Sequence, residues 1–309
     1  MNNILQGNVT DKLKEIESNT VQCVVTSPPY WGLRDYGSDG QLGLEETPEE
    51  YVEKMVEVFR EIKRVLKKDG TVWLNLGDTY LAQTGKGFPG TGQRNIPNSS
   101  KYAAKKIKRP KSLKPKNIIG IPWRVAFALQ SDGWYLRQDI IWHKPNPMPE
   151  SVKDRCTKSH EYIFLLTKSA KYYYDIDAIR ELSTDKESIN GIKQRNPKSF
   201  ANRPFSQTRS NIHKMQGTYL TRNKRSVWSI NTKPCKEAHF AVFPPKLPEL
   251  CIKAGSAEGD IILDPFFGSG TTGWVAQRLG RKWIGIELNP EYIKIANKRF
   301  QQQELFYAK

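Results

Sequence analysis

Ser27, Pro28, Pro29 and Tyr30 combine a hydroxyl, two prolines and an aromatic ring directly after the apolar run Val21–Val25. The run predicts a buried strand, and two prolines without an N–H predict a rigid loop at its carboxyl end. In such a loop, the serine hydroxyl and nearby carbonyl oxygens can accept hydrogen bonds from a planar NH2 group, while the tyrosine ring stacks beside it. A Pro-Pro turn with a surface tyrosine is the alternative that these residues alone leave open.

A second motif, DPFFGSGTT, spans residues 264–272 and follows the apolar segment Ile261–Leu263. Gly268 and Gly270 allow a sharp turn and a close approach of the backbone to a ligand. A further apolar strand then ends in the carboxylate of Glu287. Strand, glycine-rich turn, helix, strand and acid is the layout of a nucleoside-binding βαβ unit, with the acid positioned for ribose hydroxyls. The turn lacks both the dinucleotide glycine spacing and a Gly-Lys-Ser/Thr, which favours a nucleoside without a pyrophosphate.

The segment TSPPY followed by DPFFGSGTT resembles the DNA amino-methyltransferases, which transfer a methyl group from S-adenosylmethionine to cytosine N4 or adenine N6. The catalytic motif precedes the cofactor motif, which resembles the permuted β-type order of that family. The resemblance implies an α/β fold: a doubly wound, mostly parallel Rossmann-like sheet with helices on both faces and an inserted, irregular target-recognition region. It also implies S-adenosylmethionine as cofactor, double-stranded DNA as partner, and direct in-line transfer to a flipped base.

The same resemblance assigns residues to the site. Ser27 with the Pro28 and Pro29 loop would polarise the amine, and Tyr30 would stack on the base turned out of the duplex. The residues assigned to the cofactor are Asn8, Thr26, His239, Phe240, Phe243, Pro244, Asp264, Phe266, Gly268, Ser269, Gly270, Thr271, Thr272 and Glu287. Asn8 stands where the family usually has an aspartate.

The positive charge of the chain is confined to two segments. Residues 79–131 and 188–236 each contain eleven Lys or Arg and no acidic residue. Removing these 22 from the 49 basic residues leaves 27 against 32 acidic ones, so the rest of the chain is slightly acidic. We expect the two segments to meet DNA phosphates, with a disordered basic linker as the alternative for 101–116. The candidate DNA-binding residues are Lys105, Lys106, Lys108, Arg109, Arg222, Lys224 and Arg225.

Helical and strand patterns predict how these motifs are positioned. Thr47 predicts the start of an amphipathic helix that ends at Gly70, before a strand over Thr71–Leu76. Such crossover units imply a parallel sheet. We expect residues 1–180 to form the catalytic half, with a mobile basic loop at about 84–117. Residues 181–231 would form the target-recognition region, and 232–309 the cofactor-binding half.

Composition excludes several other classes of protein. The four cysteines, Cys23, Cys156, Cys235 and Cys251, lack C-x-x-C spacing, which indicates reduced thiols rather than disulfides or a zinc site. No run of eighteen apolar residues is present, and the amino end lacks the apolar core of a signal peptide. We therefore expect a cytoplasmic enzyme without a metal site or membrane span. The sequence leaves open whether it forms a homodimer and whether a restriction endonuclease acts on the same site.

The target of methylation is less sharply specified. A serine before Pro-Pro-Tyr resembles the cytosine-N4 group more often, whereas an aspartate is commoner among the adenine-N6 enzymes. We therefore expect cytosine-N4 methylation, with adenine-N6 methylation as the alternative. An RNA or protein-glutamine methyltransferase, and a DNA-binding module that has lost catalysis, are further alternatives.

Overall fold

The computed structural model describes residues 2–33, 35, 38, 40–81, 113–182, 221–232 and 243–307. The chain divides into two compact units. The main unit contains residues 1–174 and 226–309, and the second contains Asp175–Arg225.

Eight strands of the described residues form one sheet in the main unit. They are β1 (Asn2–Gln6), β2 (Val21–Thr26), β3 (Leu66–Leu76), β4 (Tyr135–His143), β5 (His160–Thr167), β8 (Val227–Ser229), β9 (Ile261–Asp264) and β10 (Lys282–Glu287). Their order across the sheet is β1-β10-β9-β2-β3-β5-β4-β8. Every neighbouring pair is parallel except those made by β5, which is antiparallel to both β3 and β4. The predicted mostly parallel, doubly wound sheet is confirmed.

Helices cover both faces of this sheet. They are α1 (Val9–Lys14), α2 (Pro48–Val65), α3 (Ile121–Ser131), α4 (Lys246–Gly255), α5 (Thr271–Arg278) and α6 (Pro290–Tyr307). Successive strand residues point to opposite faces. On β2, Val24 belongs to the same core as Met55 and Phe59 of α2, whereas the Cys23 thiol lies 4.0 Å from the carbonyl oxygen of Cys251 on α4.

Helix α2 begins and packs as its sequence predicts. The Thr47 hydroxyl accepts a hydrogen bond from the Glu50 N–H at 3.2 Å, and Pro48 occupies the first turn, where no N–H partner is needed. The residues buried along one side of the helix are Tyr51, Met55, Val58, Phe59, Ile62 and Val65. This stripe recurs at helical spacing, and its burial fixes the helix against the sheet.

The predicted end of α2 at Gly70 is wrong. The helix ends at Val65, and β3 begins at once with Leu66, paired with Val21 of β2. The register then shifts, so that Cys23 pairs with Thr71. Gly70 lies inside this irregular stretch, where a Cβ would come within 2.6 Å of the Leu66 side chain. Its glycine is needed for close packing rather than for ending a helix.

The second unit contains a small antiparallel ribbon. Strand β6 (Glu181–Leu182) pairs with β7 (Thr221–Arg222), after a short 3₁₀ turn at Asp177–Ile179. The prediction of a target-recognition region over 181–231 extended further, but Val227–Ser229 forms β8 beside β4 in the main sheet. The last residues of that predicted region therefore belong to the main unit.

Of the helices that the structure describes, none has the length and apolarity needed to span a bilayer.

Candidate functional site

The predicted site residues converge at one edge of the sheet. Strands β1, β10, β9 and β2 are neighbours and run parallel, so their carboxyl ends lie together. Glu287 and Asp264 end β10 and β9, Ser27 directly follows β2, and Asn8 lies two residues beyond the end of β1. The carboxyl edge of an open α/β sheet is where ligands bind in this architecture.

The Asp264 carboxylate joins the two motifs. Its Oδ1 accepts a hydrogen bond from the Thr26 hydroxyl at 2.8 Å, and its Oδ2 accepts one from the Thr272 hydroxyl at 2.6 Å. The Phe266 N–H also donates to Oδ1, at 3.1 Å. Thr26 directly precedes Ser27, and Thr272 lies in the first turn of α5. One carboxylate therefore ties the catalytic loop to the start of the helix that follows the glycine-rich turn.

Burial dominates the electrostatics of Asp264, which is 3% exposed. Loss of solvation raises its pKa from 3.8 to about 7, although the hydrogen bonds from Thr272, Thr26 and Phe266 each lower it. The nearby Glu287 carboxylate adds a small further increase. The carboxyl group is therefore poised to be partly protonated near neutral pH in the isolated protein.

The glycine-rich turn is held by aromatic packing behind it. Phe267 stacks on Trp283 with ring centroids 5.1 Å apart, and its ring occupies the space where a Cβ on Gly273 or Gly285 would lie. Phe267 is therefore a core residue. Gly268, by contrast, has a φ of +50° and faces open space, because a Cβ there would meet no atom within 4 Å. The turn thus presents bare backbone outward, as a bound nucleoside requires.

Arg299 of α6 fixes the same turn, and sequence reasoning missed it. Its guanidinium donates to the Ser269 carbonyl oxygen at 2.8 Å and lies 3.1 Å from the hydroxyl oxygens of Ser269 and Thr271. No local motif predicts this contact, since Arg299 and Ser269 are 30 residues apart in the sequence. The Ser269 and Thr271 hydroxyls thus have a structural partner in addition to their predicted cofactor role.

Glu287 closes the turn from the other side. Its Oε2 accepts the Gly268 N–H at 2.7 Å, and its Oε1 accepts the Asn289 N–H at 2.8 Å. Burial raises its pKa above the ordinary value, although these backbone donors lower it. The carboxylate lies where the family resemblance places a ribose contact, and that contact stays a prediction.

Asn8 has a local role that an aspartate would not fill completely. Its Oδ1 caps α1 by accepting the Thr10 N–H at 2.9 Å, which an aspartate could also do. Its Nδ2 donates to the Gly40 carbonyl oxygen at 3.2 Å, which an aspartate could not. The departure from the family pattern therefore adds a link between the β1–α1 turn and the loop before α2.

The Pro-Pro loop is fastened to α2. The Tyr51 hydroxyl donates to the Pro29 carbonyl oxygen at 2.9 Å, so this carbonyl already has a partner. Trp31 is buried beneath the loop and donates from Nε1 to the Glu45 carbonyl oxygen at 3.0 Å. Pro28 is buried as well. These contacts hold the loop that carries Ser27 against α2.

Ser27 and Tyr30 belong to a hydrogen-bond network that no motif predicted. The Ser27 hydroxyl donates to the Tyr30 hydroxyl at 3.3 Å, and the Tyr30 hydroxyl donates to Glu161 Oε2 at 2.8 Å. Asn75 donates to the same Oε2 at 3.1 Å, and Lys144 forms an ion pair with Glu161 Oε1. Burial and the Glu161 charge raise the pKa of Tyr30 well above its usual value, so the phenol keeps its proton.

Other predicted residues lie elsewhere or outside the described part of the chain. His239, Phe240, Lys105, Lys106, Lys108 and Arg109 fall outside the described residues. Phe243 and Pro244 lie just before Pro245, the N-cap of α4, and Pro244 is buried with its carbonyl accepting the Leu247 N–H at 3.0 Å. Their predicted contact with the cofactor stays a prediction.

Three predicted DNA-binding residues surround one acid in the second unit. Arg222 and Arg225 lie 3.0 Å and 2.9 Å from Glu181 Oε1, and Lys224 lies 3.4 Å from Oε2. The Arg222 and Lys224 side chains are 24% and 18% exposed, whereas that of Arg225 is 66% exposed. Arg225 is therefore the best placed of the three to reach a phosphate.

Asp78, a further acid at a strand end, has a structural role. Its Oδ1 accepts the N–H groups of Gly120 and Ile121 at 3.0 and 3.3 Å and thereby caps α3. Throughout the described residues, no group of three or more His, Cys, Asp or Glu could hold a metal ion.

Comparison with known proteins decides the family. The family model described as DNA methylase, of the N6/N4 methyltransferases, matches residues 21–298. The chain belongs to the N4/N6 DNA methylase family. It is 48% identical to the Type II methyltransferase M.Cfr9I of Citrobacter freundii over 301 residues, which cover 97% of this chain and 88% of that protein. The resemblance predicted from the two motifs is confirmed.

Two solved structures agree with the fold. A Thermus thermophilus protein assigned as a DNA modification methylase, solved with S-adenosyl-L-methionine, matches with a TM-score of 0.60 and 24% identity, covering 98% of this chain and 94% of that one. The cytosine-N4-specific PvuII DNA methyltransferase matches with a TM-score of 0.64 and 21% identity, covering 97% and 86%. At these identities the likeness establishes the Rossmann-like methyltransferase fold.

This family member is a DNA methyltransferase, of a family whose methyl donor is S-adenosylmethionine. The open backbone at Gly268 and the partly buried Glu287 carboxylate fit such a nucleoside cofactor. When bound, the cofactor supplies a methyl group activated on a sulfonium sulfur. The chain's own part is to position that methyl group and the acceptor amine.

The buried Asp264 makes stability depend on pH. Because its pKa is raised on folding, the carboxyl stabilises the fold most below about pH 4, and this contribution is lost as pH rises through about 7. Relative to D264N, the wild-type free energy of unfolding should fall by about 2 kcal/mol between pH 5 and pH 7. Urea unfolding at both values checks this, with the exposed Asp139→Asn as a control. A wild-type-to-D264N difference that does not change with pH would contradict the assignment.

Proposed function

We propose that this methyltransferase modifies the exocyclic N4 amine of a cytosine turned out of duplex DNA. The observation that carries the proposal is the position of the Ser27 hydroxyl. It follows the carboxyl end of β2 and is tied through Thr26 and Asp264 to the glycine-rich cofactor turn. An amine held at Ser27 therefore faces the edge of the sheet that the cofactor motif also borders.

The direction of the Ser27 hydrogen bond supports its use as an acceptor. The Ser27 hydroxyl lies 3.3 Å from the Tyr30 hydroxyl, whose own proton is donated to Glu161, so Ser27 can donate to Tyr30 and keep its oxygen lone pairs for the N–H of a substrate amine. The lone pair of an exocyclic amine is delocalised into the ring, and an acceptor fixed before reaction shifts density back onto nitrogen. The target must leave the base stack to reach this loop, and Tyr30 is the aromatic ring beside it.

The choice of cytosine as the target base rests on Ser27, because a serine before Pro-Pro-Tyr resembles the pattern of the cytosine-N4 group of the family. PvuII methyltransferase is cytosine-N4-specific, but the likeness to it supports the fold and not the target base. Among the alternatives, methylation of RNA or of protein glutamine and loss of catalysis fit poorly with membership in the DNA methylase family and with 48% identity to a Type II methyltransferase.

The modified nucleoside identifies the target. Duplex DNA methylated by the purified enzyme should yield N4-methylcytosine after digestion to nucleosides and mass spectrometry. S27A should lower the single-turnover rate of methyl transfer by about 10²-fold, because a fixed acceptor is lost, while cofactor affinity is retained. N6-methyladenine as the product would overturn the choice of base, and label found only in RNA or protein would overturn the proposal itself.

We further propose that the unit Asp175–Arg225 contacts the DNA backbone through Arg225. Its side chain is 66% exposed and lies in the acid-free segment 188–236, where the basic residues exceed what Glu181 can neutralise. Contacts to phosphates position a protein on DNA without reading its sequence. This role therefore concerns affinity and register rather than the choice of recognition site.

Arg225→Ala should weaken binding to all duplex sequences by a similar factor and reduce the slope of log affinity against log salt concentration by about 1. Fluorescence anisotropy with two unrelated duplexes at several salt concentrations measures both effects. Arg60→Ala is a matched control, because Arg60 is 63% exposed, is likewise paired with an acid, and lies outside the basic segments. Equal salt slopes for wild type and R225A would exclude the phosphate contact.

A further inference from the structure

The network behind Ser27 is a directed chain of proton donors that ends at a carboxylate. The Ser27 hydroxyl donates to Tyr30 at 3.3 Å. The Tyr30 hydroxyl lies 2.8 Å from Glu161 Oε2 and 3.4 Å from Asn75 Oδ1, so its single proton is donated to the nearer, charged oxygen of Glu161. Each hydroxyl can pass on its own proton while accepting another. The chain therefore has a defined direction, from the loop that faces the substrate to an acid on β5.

Glu161, the acid at which this series of hydrogen bonds ends, is held in place from several sides. Asn75 on β3 donates to Glu161 Oε2 at 3.1 Å, and Lys144 beyond β4 pairs with Oε1. Lys158 and His160, which precede Glu161 in the sequence, also interact electrostatically with its carboxylate. The Glu161 side chain is 16% exposed, so the acid is largely shielded from solvent.

Gly77 keeps the tyrosine and the acid together. A Cβ at Gly77 would lie 2.7 Å from Tyr30 Cε2 and 3.3 Å from the Glu161 carboxyl carbon. Both groups therefore pack against bare backbone at the end of β3. This close approach indicates a site built around the Tyr30–Glu161 contact rather than a chance meeting of two side chains.

Methylation of an amine must release a proton. When the nitrogen lone pair forms the bond to the methyl carbon, the carbon–sulfur bond breaks and its electrons stay on sulfur. The nitrogen then carries a positive charge and must release one proton. The Glu161 carboxylate, which is only 16% exposed and is linked to Ser27 through Tyr30, is a protein group that can take that proton.

We propose that Glu161 receives this proton through Tyr30 and Ser27, an inference that rests on the proposed methylation of an amine. The amine proton passes to Ser27 Oγ, the serine proton passes to the Tyr30 hydroxyl oxygen, and the tyrosine proton passes to Glu161 Oε2. Both hydroxyls end as they began, the product amine is neutral, and the carboxylate becomes a carboxylic acid beside the cationic Lys144. Glu161 is thus a positioning residue and terminal acceptor that does not touch the substrate.

The relay gives Tyr30 a second role that can be separated from stacking. Y30F keeps the aromatic ring but removes the hydroxyl that joins Ser27 to Glu161. The single-turnover rate of methyl transfer should fall by about 10²-fold, the size of effect usual for a lost proton-transfer group. Binding of S-adenosylmethionine by calorimetry and of duplex DNA by anisotropy should be unchanged. A Y30F rate equal to that of the wild type would overturn the relay and leave stacking alone.

Glu161 is tested by three variants and a control. E161Q keeps an acceptor for the Tyr30 hydroxyl but takes up a proton poorly, so the rate should fall by about 10²-fold with cofactor affinity retained. E161D should recover much of the rate. The double variant Y30F/E161Q should be no slower than the slower single variant, because groups that act as a unit are not additive. Glu249→Gln, which removes another lysine-paired, partly buried glutamate, should leave the rate unchanged.

A purely structural role for Glu161 predicts a different pattern. E161Q and Y30F would then lose cofactor or DNA affinity together with rate, and their effects would multiply in the double variant. The solvent deuterium isotope effect on the wild-type rate would also match that of E161Q, whereas the relay predicts a larger effect in the wild type. Normal rates in all these variants, with the wild type methylating DNA, would overturn the relay while leaving the proposed function intact.

Discussion

The arrangement of this methyltransferase depends on the buried carboxylate of Asp264. Two hydroxyls donate to its two oxygens, one from Thr26 at the end of β2 and one from Thr272 at the start of α5. The chain order separates these threonines by more than two hundred residues, but the sheet makes β2 and β9 neighbours. A solvated surface contact could not hold two such segments in one geometry, whereas a buried acid with satisfied oxygens can. One group thereby links the loop that carries Ser27 to the start of the helix after the glycine-rich turn.

The elements around Asp264 support either the glycine-rich turn on one side of it or the Pro-Pro loop on the other. On the cofactor side, Phe267 packs against the glycines of α5 and β10, and Arg299 holds the Ser269 carbonyl. On the amine side, Tyr51 fixes the Pro29 carbonyl, and Glu161 fixes the Tyr30 hydroxyl. Both sides place functional groups on or next to packed strands and helices, which limits how far they can drift from a productive geometry.

Sequence alone was sufficient for the features that are local. The parallel sheet follows from helix, glycine and strand patterns, and the two motifs lie at strand ends as their apolar flanks predict. The sequence did not predict the role of Glu161, because this residue is 131 residues from Tyr30 and only the antiparallel pairing of β3 and β5 brings it close to the Tyr30 hydroxyl. Arg299 was missed because only the folded position of α6 brings it to Ser269, 30 residues away in the sequence. The helix end at Gly70 was misjudged because a glycine needed for close packing has the same local pattern as a helix terminator.

The central claim is that Asp264 couples the two halves, and a double-mutant cycle tests it most directly. T26V and T272V each remove one hydroxyl from the carboxylate at nearly constant shape. We expect their effects on the single-turnover rate of methyl transfer to differ from additivity by about 1 kcal/mol or more, because both hydroxyls serve one acid. Effects that add to within about 0.3 kcal/mol would show that the two threonines act independently, and the account of a shared anchor would be wrong.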